Sequence, residues 1–116
     1  MEENNTKKDI NWSKKENKQL IDAFLLMKND GEVRRFLRDL MTEVEIEEFA
    51  RRLEAARLLA KNVQYSEIIE KTGLSSTTIA RISKWLKGPL GGYRLVLNQL
   101  GHIHSQNSVG KGLSLH

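Results

Sequence analysis

The sequence predicts an all-α fold. Three observations carry this. Apolar residues recur at i, i+3, i+4 and i+7 in successive segments, which is the spacing of one helix face. Ser, Thr, Asn, Gly and Pro fall between those segments, where helices start and stop. No segment shows the strict alternation of a half-buried strand. At 116 residues the chain is the length of one domain.

Residues 1–11 read as a polar, disordered leader. A first helix is expected from Ser13 to Lys28, with Ser13 as N-cap and Glu16 at capping-box spacing, stopped by Asn29-Asp30-Gly31. Within it Leu20, Ile21, Ala23, Phe24, Leu25, Leu26 and Met27 are apolar nearly all round the helix. So short a chain has few elements to cover such a helix, and a second subunit is the natural supplier, the alternative being a central helix in a monomeric bundle. A second helix, Glu32 to Met41, places Val33, Phe36, Leu37 and Leu40 on one stripe. Thr42 then caps a third, with Glu45 at the capping-box position. Its buried stripe is expected to be Ile46, Phe49, Ala50, Leu53, Ala56 and Ala60, and it runs to about Lys61. Glu43, Glu45, Glu47 and Glu48 crowd its start, where the helix dipole favours negative charge. Dipole complementation explains them better than a metal or general-acid cluster does.

Residues 65–84, YSEIIEKTGLSSTTIARISK, read as two short helices around a sharp corner. Ser66 caps the first, Gly73 supplies the left-handed corner, and Ser75 caps the second. Ile68, Ile69, Leu74, Ile79, Ile82 and Leu86 face inward, with Ile68 or Ile69 meeting Ile79 and Ile82. An apolar residue five positions before a Gly, with apolar residues six and nine after it, is the helix-turn-helix pattern. Ile69 stands where such corners carry a small residue, so a slight splay is expected. Gly88-Pro89 ends the second helix. After Gly91-Gly92, YRLVLNQL reads as a short helix or irregular arm on the core. The rest, 101–116, reads as a flexible tail.

Charge is unevenly spread over the net +4. Residues 1–70 hold thirteen Lys/Arg and fifteen Asp/Glu. Residues 71–116 hold Lys71, Arg81, Lys84, Lys87, Arg94 and Lys111 and no acid. A stretch free of carboxylates suits a polyanion. The outward face of the second short helix carries Ser75, Ser76, Thr77, Ala80, Arg81 and Lys84. Short side chains let a helix sit deep in the major groove, hydroxyls bond base edges or phosphate, a methyl touches thymine, and Arg and Lys grip phosphate or guanine. Arg94 is a further candidate phosphate contact. Trp85 and Tyr93 are read as packing groups rather than stacking platforms, and Trp12 as a residue that docks on a dimer partner.

The stretch LMTEVEIEEFARRLEAARLLAKNVQYSEIIEKTGLSSTTIARISKWLK, from Leu40 to Lys87, with the following GPLGGYRLVL, resembles the Trp repressor superfamily and within it the YerC/YecD-type TrpR-related proteins. The likeness covers residues 20 to 87 and specifies a helical domain over 12–100 with its helix-turn-helix at 65–87. It implies an intertwined homodimer that binds a palindromic operator in double-stranded DNA. Carried over by position, Thr42 matches a family position whose backbone helps hold the corepressor, Arg52 an arginine that stacks over its indole, and Arg81 the arginine that meets its carboxylate. Ile82 replaces a Gly that leaves room for the indole, and Trp85 replaces a Ser that helps hold the amino group. The pocket is therefore read as vestigial and L-Trp as not bound.

Absence of Cys excludes a disulfide scaffold, Cys-ligated zinc and thiol chemistry. The histidines are His102, His104 and His116, all in the tail, and the H-x-H pair there is a poor metal site without neighbouring ligands. No catalytic triad or phosphate loop can be assembled. The expectation is a cytoplasmic transcriptional regulator, a probable repressor, with no enzyme activity, cofactor or membrane segment. A protein-interaction adaptor, or a repressor sensing another small ligand, are the alternatives.

Overall fold

A computed structural model describes residues 9–114. They form six helices, α1 (Lys15–Leu25), α2 (Asp30–Leu40), α3 (Glu43–Ala60), α4 (Tyr65–Thr72), α5 (Ser76–Lys87) and α6 (Gly92–Ser114), with no strand among the described residues. The all-α expectation holds. The chain divides into two compact units, one ending at Glu47 and one beginning at Glu48. Most of the expected leader lies outside the described residues; residues 9–11 have no regular structure.

In the first unit, α1 begins later than its capping signal. Ser13 is not the cap; the Asn11 side chain accepts from the Ser13 amide at 3.0 Å and so holds the chain in a turn. Lys14 takes the N-cap position without a side-chain bond. The helix also ends three residues early, at Leu25. Asn29-Asp30-Gly31 is a start rather than a stop. Asn29 caps α2 by accepting from the Glu32 amide at 2.9 Å, and Glu32 accepts from the Lys28 amide at 2.9 Å. Asn is among the strongest N-caps, and Asp30 and Glu32 then sit at the positive end of the dipole. Phe24 and Phe36 meet edge to face with centroids 5.4 Å apart. Yet neither α1 nor α2 has a buried residue. Leu20, Ile21 and Phe24 are each 40% exposed, and Leu25, Leu26 and Leu40 more so. The Thr42 capping box forms as expected: Thr42 Oγ1 accepts from the Glu45 amide at 3.1 Å, and the Glu45 carboxylate accepts from the Thr42 amide at 2.9 Å.

The second unit holds the core: Ala55, Ala56 and Leu58 from α3, Ile68 from α4, Leu74 from the corner, and Ile79 and Ile82 from α5. The buried stripe of α3 is therefore displaced from the expected one. Ala56 is buried and Ile46 and Leu53 are half-buried, but Phe49, Ala50 and Ala60 are exposed in the single chain. The small Ala55-Ala56 pair admits the branched isoleucines closely. α3 closes at Asn62, in the left-handed region at φ 63, a conformation Asn tolerates. Tyr93 and Leu97 of α6 pack against the core. α6 far exceeds the short arm expected, because its helix runs on through 101–114, the span read as a flexible tail. Gly weakens a helix by about 1 kcal/mol per residue without breaking it, and no Pro follows Pro89. Among the described residues no helix is long and apolar enough to cross a membrane.

Candidate nucleic-acid interface

The corner between α4 and α5 is built by three residues. Gly73 ends α4 in the left-handed conformation (φ 74, ψ 5), and its amide bonds the Ile69 carbonyl at 2.8 Å. Thr72, which is 5% exposed, donates through its hydroxyl to the Ile68 carbonyl at 2.7 Å and accepts from the Leu74 amide at 3.2 Å. One side chain thus stitches the end of α4 to the residue that leads into α5. Thr72 was not legible as a site residue, since its spacing fits neither an apolar stripe nor a cap. Ser75 then caps α5, accepting from the Thr78 amide at 3.1 Å and donating to the Thr78 hydroxyl at 3.0 Å. Gln64, not Ser66, occupies the N-cap position of α4, with no side-chain bond.

Ile68, Ile79 and Ile82 are all fully buried, so the corner is glued by Ile68 and not by Ile69. Ile69 is 37% exposed and lies outside the core cluster. A bulky residue there need not splay the helices.

What α5 leaves outside is short and free of acid. Ser76, Thr77, Ala80 and Lys84 are exposed, and Arg81 is half-buried. Ser75 is exposed too, but its hydroxyl is committed to the cap. The Arg81 Nε is shielded from solvent and bonds no group among the described residues. Lys84 and Lys87 lie in the last turn, where the dipole favours cations. Arg94, the further candidate phosphate contact, is engaged within its own chain through one nitrogen. Its Nη1 donates to the carbonyls of Leu86 and Gly88, at 2.5 and 2.9 Å.

The family model that describes the Trp repressor protein matches residues 15–101. The chain belongs to the Trp repressor family. It is 35% identical over 94 residues to the uncharacterized protein YerC of Bacillus subtilis (strain 168), an alignment that covers 81% of this chain and 90% of that protein. It also matches the crystal structure of a TrpR-like protein from Eubacterium eligens ATCC 27750, at 34% identity and a TM-score of 0.73, covering 78% of this chain and 93% of the other. The Trp repressor family is one of helix-turn-helix DNA-binding regulators, not enzymes, and this chain shares that class and the all-α fold.

Of the residues expected from the resemblance to line a vestigial ligand pocket, Ile82 is fully buried in the core. Trp85 is half-buried, and its indole nitrogen is shielded from solvent. Arg52 is engaged on its own helix. Its Nε donates to Glu48 at 3.1 Å and its guanidinium lies over the Phe49 ring, 5.8 Å from the centroid. Hydrogen bonds from Arg52, and secondarily Arg51, hold the Glu48 carboxyl below its ordinary range. Thr42 serves as the α3 cap. Burial raises the Tyr93 phenol above its usual value. Among the described residues no group of His, Asp and Glu is arranged to hold a metal ion. The side chains of His104 and His116 lie outside the described residues.

Proposed function

We propose that the protein binds double-stranded DNA as a homodimer, each subunit laying α5 in the major groove of one half of a palindromic operator. The observation that carries this reading is the exposed, acid-free face of α5, displayed by a corner whose glycine, threonine and serine fix its direction. Ser76, Thr77 and Ala80 reach base edges, and Arg81 and Lys84 reach phosphate or guanine. Ser75 contributes through the helix N-terminus that it caps, where a phosphate is favoured. Two reading helices related by a twofold axis match half-sites about 34 Å apart.

The homodimer is supported by α1 and α2, in which no residue is fully buried within one chain and Leu20, Ile21, Phe24, Leu25 and Leu26 are exposed. Trp12, 58% exposed, is available to the same partner. L-Trp is not the corepressor on this reading, because Ile82 fills space an indole needs. Bound at a promoter, the dimer excludes polymerase and acts as a repressor in the cytoplasm.

The test is selection of bound genomic fragments followed by mobility shifts across a salt series, with sedimentation of the free protein. Retention of a palindromic duplex by a dimer, with affinity falling steeply in salt, is expected. No complex at low salt on any fragment, or a stable monomer, overturns the reading.

A further inference from the structure

A helix end leaves its last carbonyls without amide partners. α5 ends at Lys87, and Gly88 (φ −79, ψ 177) then turns extended ahead of Pro89, which has no amide to offer. A single side chain takes up two of the carbonyls at this end. Arg94, in the first turn of α6, directs Nη1 at both the Leu86 and the Gly88 oxygens. The cation also lies at the negative end of the α5 dipole, where charge-assisted bonds are strongest.

The turn is shaped to admit that guanidinium. Gly91 has φ +74, and a Cβ placed on it would stand 3.2 Å from Arg94 Nη2. Position 91 therefore favours glycine for its backbone conformation, and a Cβ there would push the Arg94 guanidinium aside by a few tenths of an ångström. The Gly91 carbonyl in turn accepts from the Leu95 amide at 2.9 Å, which seats the first turn of α6. Leu86, whose carbonyl is gripped, is itself buried.

We propose that Arg94 is a positioning residue for DNA binding: its guanidinium latches the C-terminal end of the reading helix to α6 and so sets the direction in which Arg81 and Lys84 are presented. The proposal rests on the DNA-binding reading above. It separates Arg94 from the other basic residues after Glu70, since its Nη1 is engaged by two carbonyls, and a latch, unlike a phosphate contact, leaves the counterions released by DNA unchanged.

The test uses the full-length protein and a duplex that the unmodified protein selects from a random-sequence pool. Affinities of the parent, Arg94→Gln, Arg94→Lys and Gly91→Ala are measured at several salt concentrations, with amide hydrogen exchange on each. For Arg94→Gln the latch predicts affinity at least about tenfold weaker at every salt concentration, with an unchanged salt slope because no phosphate contact is lost. Gly91→Ala, which keeps every charge, weakens binding in the same way, and Arg94→Lys restores part of the loss. The Gly88 amide, which bonds the Trp85 carbonyl, exchanges faster in Arg94→Gln while the Ile79 amide does not. Binding by Arg94→Gln within about twofold of the parent overturns the latch, as does a salt slope lower by about one per subunit, the mark of a phosphate contact. Equal acceleration of exchange throughout the core also overturns it, reducing Arg94 to general stability. If the unmodified protein selects no duplex, the DNA-binding reading falls and the latch falls with it. That result is distinct from one in which only the variants bind normally.

Discussion

Replacing Ile82 by Ala tests at one position both the packing of the corner and the exclusion of L-Trp. Ile82 is 0% exposed, whereas Ile69, the neighbouring isoleucine on α4, is 37% exposed. The substitution removes three carbons, worth about 2.4 kcal/mol at ~0.8 kcal/mol per buried methylene. The cavity left behind adds to this, and comparable core truncations span about 2–5 kcal/mol. A few tenths are returned by the better helix propensity of Ala. We therefore expect a loss of about 3 kcal/mol, or ~12–24 °C in Tm for a domain of this size, with protein concentration held constant. Ile69→Ala should cost about 1 kcal/mol or less, since its side chain is already partly in water. Thermal unfolding by circular dichroism measures both. Calorimetric titration of L-Trp into the parent and Ile82→Ala completes the assay. The parent should show no saturable binding, and any gain should belong to the truncated variant. Losses that agree within about 0.5 kcal/mol would show that burial does not rank the two positions. Saturable micromolar L-Trp binding by the parent would refute the exclusion.

The other predictions concern the corner, the charges and acid stability. Gly73→Ala should lower stability by about 1–2 kcal/mol through the left-handed backbone alone, because no atom lies within 4 Å of the added Cβ; chemical denaturation reads this. Ser75→Ala should cost about 1 kcal/mol for the lost cap, a loss that Ser75→Asp should largely spare. Lys84→Ala should reduce the salt slope of DNA binding by about one per half-site, and Arg81→Glu should abolish the complex in a mobility shift. Glu48 and Glu54 are both held below the ordinary carboxylate value of 4.5 by arginines, Arg52 and Arg51 for the first and Arg57 for the second. A lowered folded pKa favours the native carboxylate. The contribution is therefore present above pH 4.5 and disappears as pH falls through the lower folded values. A Glu48→Gln, Glu54→Gln double variant should show a shallower acid limb in Tm against pH, and an unchanged limb would exclude these pairs as its source.

Local chemistry made the helix-turn-helix corner legible. At Gly73, Ser75 and Thr42 the backbone demand and the residue that meets it are adjacent in sequence, so spacing alone locates them. Ile68, Leu74, Ile79, Ile82 and Leu86 could be read for the same reason: both helices are short, and one face of each is apolar. The signals misled where two local readings competed. Asn29-Asp30-Gly31 carries the marks of a helix end and of a helix start, and only the Asn29 bond to the Glu32 amide decides between them. Ser13 has no capping role because the Asn11 side chain holds its amide in a turn ahead of the helix. The α3 stripe was displaced because alanines flank both candidate faces and packing partners choose between them. Thr72 and Arg94 were illegible as structural residues, since each acts by reaching a main-chain oxygen that no residue pattern reports.

The two N-terminal helices, without one buried side chain between them, have a consequence for how the protein matures. Eleven residues each is too short for either to persist alone in water. On the homodimer reading their ordering is a second-order event, complete only when two nascent chains collide. A scarce regulator would then spend part of its life half-assembled and open to proteases, so that synthesis rate, as well as operator affinity, sets how much working protein a cell contains.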